Sequence, residues 1–288
     1  MSSFLHRSTV SVLARLAHAS ARTREGLAEA ERVLRFTRGR LEFRPRDDDL
    51  WIVSYPRSGT TWMQYLVHLR LGRCDDFAHI DDVCPWFERG LSIGARTSDD
   101  LARLPGPRVF KSHLLPQWTP RVGRFVYLRR DPAEVVDSYY ALYRDYLGHR
   151  GSRLEFARRV FAGDVQYGSW LTHVEAWQRA AEHRVLHVDY ADLRRDPIAV
   201  MHAVSRHFDL PPDDAAIARA CAGASLDRMR ARQAKFDHAG LLLRERGIAA
   251  GNFVRHGCRR ELDPDLAALV ESARERARPT TPLRLFLR

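Results

Sequence analysis

Lysine is almost missing from this chain of 288 residues: Lys111 and Lys235 are its only two, against 45 arginines. The formal net charge is +11, but the arginines run along the whole length and interleave with acids, as in Arg194-Arg195-Asp196. That pattern fits the codon usage of a GC-rich genome and argues only weakly for an anionic ligand. No zinc-finger or RNP-type motif is present, so nucleic acid is not expected as a partner. Cysteine is scarce as well. Cys74, Cys84, Cys221 and Cys258 stand far apart without CxxC spacing, which predicts reduced thiols, no metal site and a cytoplasmic location. No apolar run approaches the ~20 residues of a membrane span. The stretch Val10 to Leu16 contains Arg15 and is followed by Arg22, so it lacks a signal-peptide core. Glu25, Glu29 and Glu31 argue against a transit peptide. No repeat or low-complexity segment appears. Hydrophobic residues at 45% and charged residues at 29% are globular values that exclude disorder and coiled coil.

What remains is an alternation of short apolar runs with helical patterns. Leu50 to Ser54 (LWIVS), Arg108 to Lys111, Arg124 to Leu128 (RFVYL) and Arg184 to Val188 (RVLHV) read as strands. Thr60 to Leu71, Pro132 to Leu147, Leu154 to Phe161, Tyr167 to Ala181 and Asp192 to Phe208 read as helices. Residues 10 to 38 are helical in pattern and end at Pro45 and the run Asp47-Asp48-Asp49. The fold class is therefore α/β: a helical extension over 1–45, then one domain over 46–288 with a central parallel sheet flanked by helices. Ligands of such sheets sit at the carboxyl ends of the strands.

The first strand leads into Tyr55-Pro56-Arg57-Ser58-Gly59-Thr60-Thr61-Trp62, which opens a helix. Gly59 allows a tight turn with close backbone approach. Ser58, Thr60 and Thr61 add hydroxyls to the free N–H groups of the helix start, and Arg57 adds a permanent charge. The loop suits a phosphate in the manner of a P-loop, although the GxxxxGK[ST] spacing is absent. A capped helix start with incidental hydroxyls reads equally well from chemistry alone. Phe110-Lys111-Ser112-His113 holds one of the two lysines. In an extended segment residues 111 and 113 point the same way, so ammonium and imidazole converge.

Tyr55 to Trp62 resembles the 5′-phosphosulfate loop of the cytosolic-type sulfotransferases, which use 3′-phosphoadenosine 5′-phosphosulfate (PAPS) and release the bisphosphate PAP. Those enzymes usually carry Lys where this chain has Arg57. Arg124 to Tyr140, RFVYLRRDPAEVVDSYY, is similar to the family's 3′-phosphate motif, which maps Arg130 and Ser138 onto the grip for that phosphate. Tyr167-Gly168-Ser169-Trp170 and Val174 to Trp177 resemble a structural helix of the same fold. Tyr190 falls at an adenine-contacting tyrosine. Lys111-Ser112-His113 stands where the family has Lys-Thr-His.

The resemblance covers roughly residues 45 to 275 and implies transfer of a sulfonate from PAPS to a hydroxyl, less readily an amine, of a small molecule. It implies His113 as general base, Arg57 and Lys111 stabilising the leaving group, Ser138 at the 3′-phosphate, and no metal. Arg57, Ser58, Gly59, Thr60, Thr61, Trp62, Arg130, Ser138 and Tyr190 would hold the nucleotide, with Arg246 and Gly247 as a C-terminal lid and Arg244 as a rival. That lid carries one extra residue between Gly247 and Gly251. The adenine-stacking Phe of the family is replaced by Leu226, and its Thr neighbour by Ala224. No dimerisation motif is recognisable from Gly257 to Glu261, so the oligomeric state stays open. Trp86, Phe87 and Tyr140 are candidates for the acceptor wall, with Tyr143 and Tyr146 beside them. A kinase-like phosphotransferase and a non-catalytic basic nucleotide- or nucleic-acid-binding protein are the alternatives.

Overall fold

The computed structural model describes residues 26–237 and 262–277. They fall into two compact units, the smaller within 1–44 and 87–104, the larger within 45–86 and 105–288. In the smaller unit, residues 26–42 are helical, and Phe36 and Phe43 pack edge-on against Phe87. Ser98 Oγ donates to the Gly39 carbonyl. The grouping of 87–104 with the N-terminal segment has no signature in the sequence.

Among the described residues the larger unit contains four strands, β1 (Leu50–Ser54), β2 (Val109–Ser112), β3 (Arg124–Arg129) and β4 (Arg184–Asp189). Each lies within a residue or two of its expected range. They pair in the order β2-β1-β3-β4, and every pairing is parallel. Strands buried on both faces must be apolar on both, and β1 is buried at all five positions. Leu50 and Ile52 face one way, with Val109, Val126, Leu128 and Val188. They meet α1 (Thr60–Arg70) through Met63, Leu66 and Val67. On the other face Trp51 stacks between Phe110 and Phe125, at 4.7 and 5.8 Å between ring centres. Truncating a fully buried tryptophan of this kind costs about 3–5 kcal/mol.

After β3 come α2 (Pro132–Tyr146), α3 (Arg153–Ala162) and α4 (Trp170–Gln178). Val135, Tyr139, Phe156, Trp170 and Val174 share a second core with Leu266 and Val270 of the C-terminal helix Pro264–Arg276. The single helix expected over 192–208 is two: α5 (Tyr190–Arg195) and α6 (Pro197–His207). Pro197 has no N–H to continue α5, and Asp196 caps α6 by accepting from the Ala199 N–H. The helix α7 (Asp214–Gly223) packs over α1.

At the amino-terminal edge of the sheet, Arg108 donates through Nε and one Nη to both oxygens of Asp49, each at 2.6 Å, with both side chains buried. The bidentate pair fixes the start of β1 against β2. At the opposite edge the strand order reverses between β1 and β3, so their following loops diverge and leave a crevice. The loop 55–59 and the segment carrying Arg130 open there.

Candidate active site

The loop after β1 is held in an unusual shape. Arg57 has φ of 69° and Gly59 φ of 98°. A side chain at Gly59 would set its Cβ 2.6 Å from the ring of Tyr190, so only glycine lets Tyr190 lie on the turn. Gly59 is the N-cap of α1, and its carbonyl accepts from the Met63 N–H. Thr60 Oγ1 lies 2.9 Å from Ser54 Oγ, whose proton goes to the Tyr55 carbonyl. Ser58 Oγ is buried without a hydrogen-bond partner among the described residues. A buried hydroxyl left unpaired at a helix start fits an anionic oxygen that would complete it.

Arg57 Nε donates to Ser138 Oγ at 3.0 Å, which ties the loop to α2. Arg130 is fixed three ways. It donates to Glu134 at 2.9 Å and to the Arg57 carbonyl at 2.8 Å, and it lies 4.3 Å over the ring of Tyr190. Trp62 meets Tyr190 edge-on at 6.0 Å and donates Nε1–H to the Ala224 carbonyl. Arg57, Gly59, Trp62, Arg130, Ser138 and Tyr190 are thus joined by direct contacts, with Ser58, Thr60 and Thr61 on the same loop and helix start.

Lys111 and His113 are both buried and converge on Trp86. The Lys111 ammonium lies 4.0 Å over the indole, and the His113 ring meets it at 5.1 Å and 89°. His113 Nδ1 lies 2.7 Å from the Ser54 carbonyl. A carbonyl only accepts, so Nδ1 bears the proton and Nε2 carries the lone pair. Burial, then the Lys111 ammonium, holds the imidazole well below the usual 6.5, and the Arg57 guanidinium adds to this against the Ser54 bond. His113 is therefore neutral at pH 7.

Sequence reasoning missed the groups behind His113. His173 Nε2 lies 3.0 Å from the His113 carbonyl, and its Nδ1 lies 3.0 Å from Tyr127 Oη. The carbonyl again sets the tautomer: Nε2–H donates, and Nδ1 accepts from the Tyr127 hydroxyl. Trp177 Nε1–H donates to the next carbonyl, that of Leu114. Two successive peptide units after β2 are so anchored on α4. A signal did exist, since His173 shares a helical face with Trp170 and Trp177, three and four residues away. Tyr167 was also missed. It has φ of 71°, and its ring lies 5.3 Å from His113 and 6.3 Å from Trp86.

The other expected residues that are described have contacts of their own. Phe87 belongs to the smaller unit, in its aromatic cluster. Tyr140 donates to the Gly151 carbonyl and packs on His149 and Phe156. Tyr143 packs on Tyr139 and Phe156, and Tyr146 donates to Asp237. Arg244, Arg246, Gly247, Gly251, Gly257 and Cys258 fall outside the described residues. Among the described residues no group of His, Cys, Asp or Glu could hold a metal ion. Among them, too, no helix is long and apolar enough to cross a membrane.

An α/β sheet with a phosphate-type loop at its switch point and a buried Lys–His pair beside it is the plan of the sulfotransferases. The family model described as the sulfotransferase domain matches residues 47–271, and the chain belongs to that family, a class of enzymes that draw their sulfonate from PAPS. Human sulfotransferase 4A1 is 33% identical over 199 residues, 62% of this chain and 68% of the relative. Dog sulfotransferase 1B1 is 31% identical over 206 residues, 66% and 68%. The crystal structure of retinol dehydratase in complex with androsterone and inactive cofactor PAP superposes with a TM-score of 0.70 at 20% identity, over 86% of this chain and 87% of that one. Mouse sulfotransferase SULT7A1 complexed with PAP gives 0.67 at 20% identity, over 87% and 91%.

Proposed function

We propose that this chain transfers a sulfonate from PAPS to a hydroxyl group of a small-molecule acceptor in the cytoplasm, with His113 as general base. The observation that carries the reading is the tautomer of His113: neutral, with its basic nitrogen fixed at Nε2 by the Ser54 carbonyl. A general base needs a lone pair at a fixed place, and the neutral imidazole offers one at Nε2.

The buried Ser58 hydroxyl, unpaired among the described residues, and the glycine turn under Tyr190 suit a bound phosphate. The loop from Arg57 to Thr61 would hold the 5′-phosphosulfate end, Arg130 and Ser138 the 3′-phosphate, and Trp62 and Tyr190 the adenine. Related folds have been solved with PAP, in retinol dehydratase and SULT7A1, which supports the same nucleotide here. When bound, PAPS supplies an electrophilic sulfur and a phosphate leaving group. His113 Nε2 takes the acceptor's proton as its oxygen attacks in line. Lys111 and Arg57 meet the negative charge that grows on the bridging oxygen, where fixed cations lower the barrier most. Because Arg57 is bonded to Ser138, the two ends of the nucleotide site are coupled. Trp86 and Tyr167 beside His113 favour a flat or apolar acceptor. The retinol dehydratase structures, with androsterone and with retinol, are consistent with that class.

Calorimetry with adenosine 3′,5′-bisphosphate, ATP and an oligonucleotide tests the nucleotide half. Binding selective for the bisphosphate is expected, and preference for ATP or for the oligonucleotide overturns the reading. A mass-spectrometric screen of hydroxylated compounds with PAPS tests the other half. The expected product gains one sulfonate, and a chain that binds PAPS yet sulfonates nothing is not this enzyme.

A further inference from the structure

Trp86 touches both members of the Lys111–His113 pair, and with different parts of its ring. The Lys111 ammonium lies over the indole face at 4.0 Å, while the His113 imidazole stands perpendicular to it at 5.1 Å. The indole is itself fixed in place. The Trp86 main-chain N–H donates to Asp81 Oδ1 at 2.7 Å. Trp86 forms an isolated parallel bridge with Lys111, whose N–H donates to the Pro85 carbonyl at 2.9 Å. The Tyr167 ring lies against the indole at 27°.

A lysine ammonium is a point charge on a flexible four-carbon stem, and most of its rotamers would carry it away from a fixed reaction centre. Indole presents the most negative face of the natural aromatic rings, and the attraction strengthens where water is excluded. Lys111 is buried, so a seat on that face restricts its stem and holds the ammonium next to His113.

We propose that Trp86 is a positioning residue, an aromatic seat that holds the Lys111 ammonium beside His113 for the transfer step. The proposal rests on the sulfotransferase reading given above and assigns Trp86 a role separate from lining the acceptor pocket.

The rarity of lysine makes the seat directly observable. Full-length chain labelled with 13Cε-lysine has two side-chain signals, assigned with Lys235→Arg. Lys235 lies 4.7 Å over Phe77 and serves as the internal comparison. The Lys111 signal is expected upfield of free lysine through the ring current. Trp86→Leu should return it to the ordinary position while Lys235 stays unmoved. A Lys111 signal unchanged by Trp86→Leu overturns the seat, and this result does not depend on any activity.

With an acceptor from the screen, Trp86→Leu should lower kcat ten- to a hundredfold with bisphosphate affinity kept within a few fold, and Trp86→Phe should fall between. Fluorinated tryptophans placed at position 86 keep the shape but drain the ring face of charge. They should lower kcat step by step with fluorine count, a gradation that mere packing would not produce. A rise in KM with kcat unchanged would make Trp86 an acceptor wall only and overturn the proposal. Absence of transfer by the wild-type chain would instead sink the sulfotransferase reading, and the lysine signals would still decide the seat.

Discussion

His113 Nδ1 lies 2.7 Å from the main-chain carbonyl oxygen of Ser54 and donates its proton there, so the end of β1 sets which ring nitrogen at the end of β2 is basic. The contact joins the strand that leads into the nucleotide loop to the side chain proposed as base. Any movement of that loop that shifted Ser54 would also turn the imidazole.

His113→Ala should abolish transfer to an aliphatic alcohol, by about 10²–10⁴ in kcat, while bisphosphate affinity stays within a few fold. The pH profile is a finer check. The imidazole is held below its usual 6.5, and the base acts when deprotonated. Activity should therefore persist as pH falls through 6.5 and decline only lower. An acid limb at or above 6.5 would place the base elsewhere.

Loss of the nucleotide's 3′-phosphate should weaken binding at least a hundredfold. Two charge-assisted hydrogen bonds, from Arg130 and Ser138, are each worth roughly 1.5–3 kcal/mol. Titration calorimetry with adenosine 5′-phosphate and adenosine 3′,5′-bisphosphate makes the comparison, and equal affinities would refute the assignment of both residues.

Arg57→Lys should keep substantial turnover, since an ammonium can still serve the leaving oxygen. Arg57→Ala should lose most of kcat and less of the nucleotide affinity, because charge on the bridging oxygen is greater in the transition state than before it. Steady-state kinetics beside calorimetry separates the two effects. An alanine variant with wild-type kcat would leave the role to Lys111 alone.

Buried neutral histidines should make the fold acid-sensitive. Burial lowers His173 from 6.5 to about 4, and His68, His183, His187 and His207 are lowered by burial as well. The unfolded chain then binds more protons than the native one below pH 6.5, so stability is full above that pH and falls as pH drops toward 4. His173 alone accounts for about 3 kcal/mol of this loss. Urea unfolding at pH 7 and pH 4.5 should show the difference, and His173→Gln should flatten it. A wild-type stability equal at the two values would contradict the buried neutral state.

Much of the fold is legible because its signals are local. Apolar residues at every position of Leu50 to Val53 reveal a strand buried on both faces, and Asp196-Pro197 marks a break once Asp196 is read as a cap. The order β2-β1-β3-β4 is not local and has no such trace. The same division runs through the site. Contiguous residues such as Tyr55 to Trp62 carry their own pattern, whereas Ser54, Tyr127, and Tyr167 with His173 come together around His113 from three separate segments. Lys111 was conspicuous only because lysine is rare. That Trp86 would seat it could not be read from residues 25 positions apart.

The 2.6 Å gap between a Cβ built on Gly59 and the Tyr190 ring makes these two positions a single heritable unit. A chain that drifted to alanine at 59 would have to shed the tyrosine first, and with it the surface on which Arg130 rests. Removing the ring would still leave the backbone at φ 98°, a conformation that costs a non-glycine residue about 1–3 kcal/mol. No order of single steps away from this pair avoids a defective intermediate, so Gly59 and Tyr190 should persist together through sequence change that freely remodels the acceptor side.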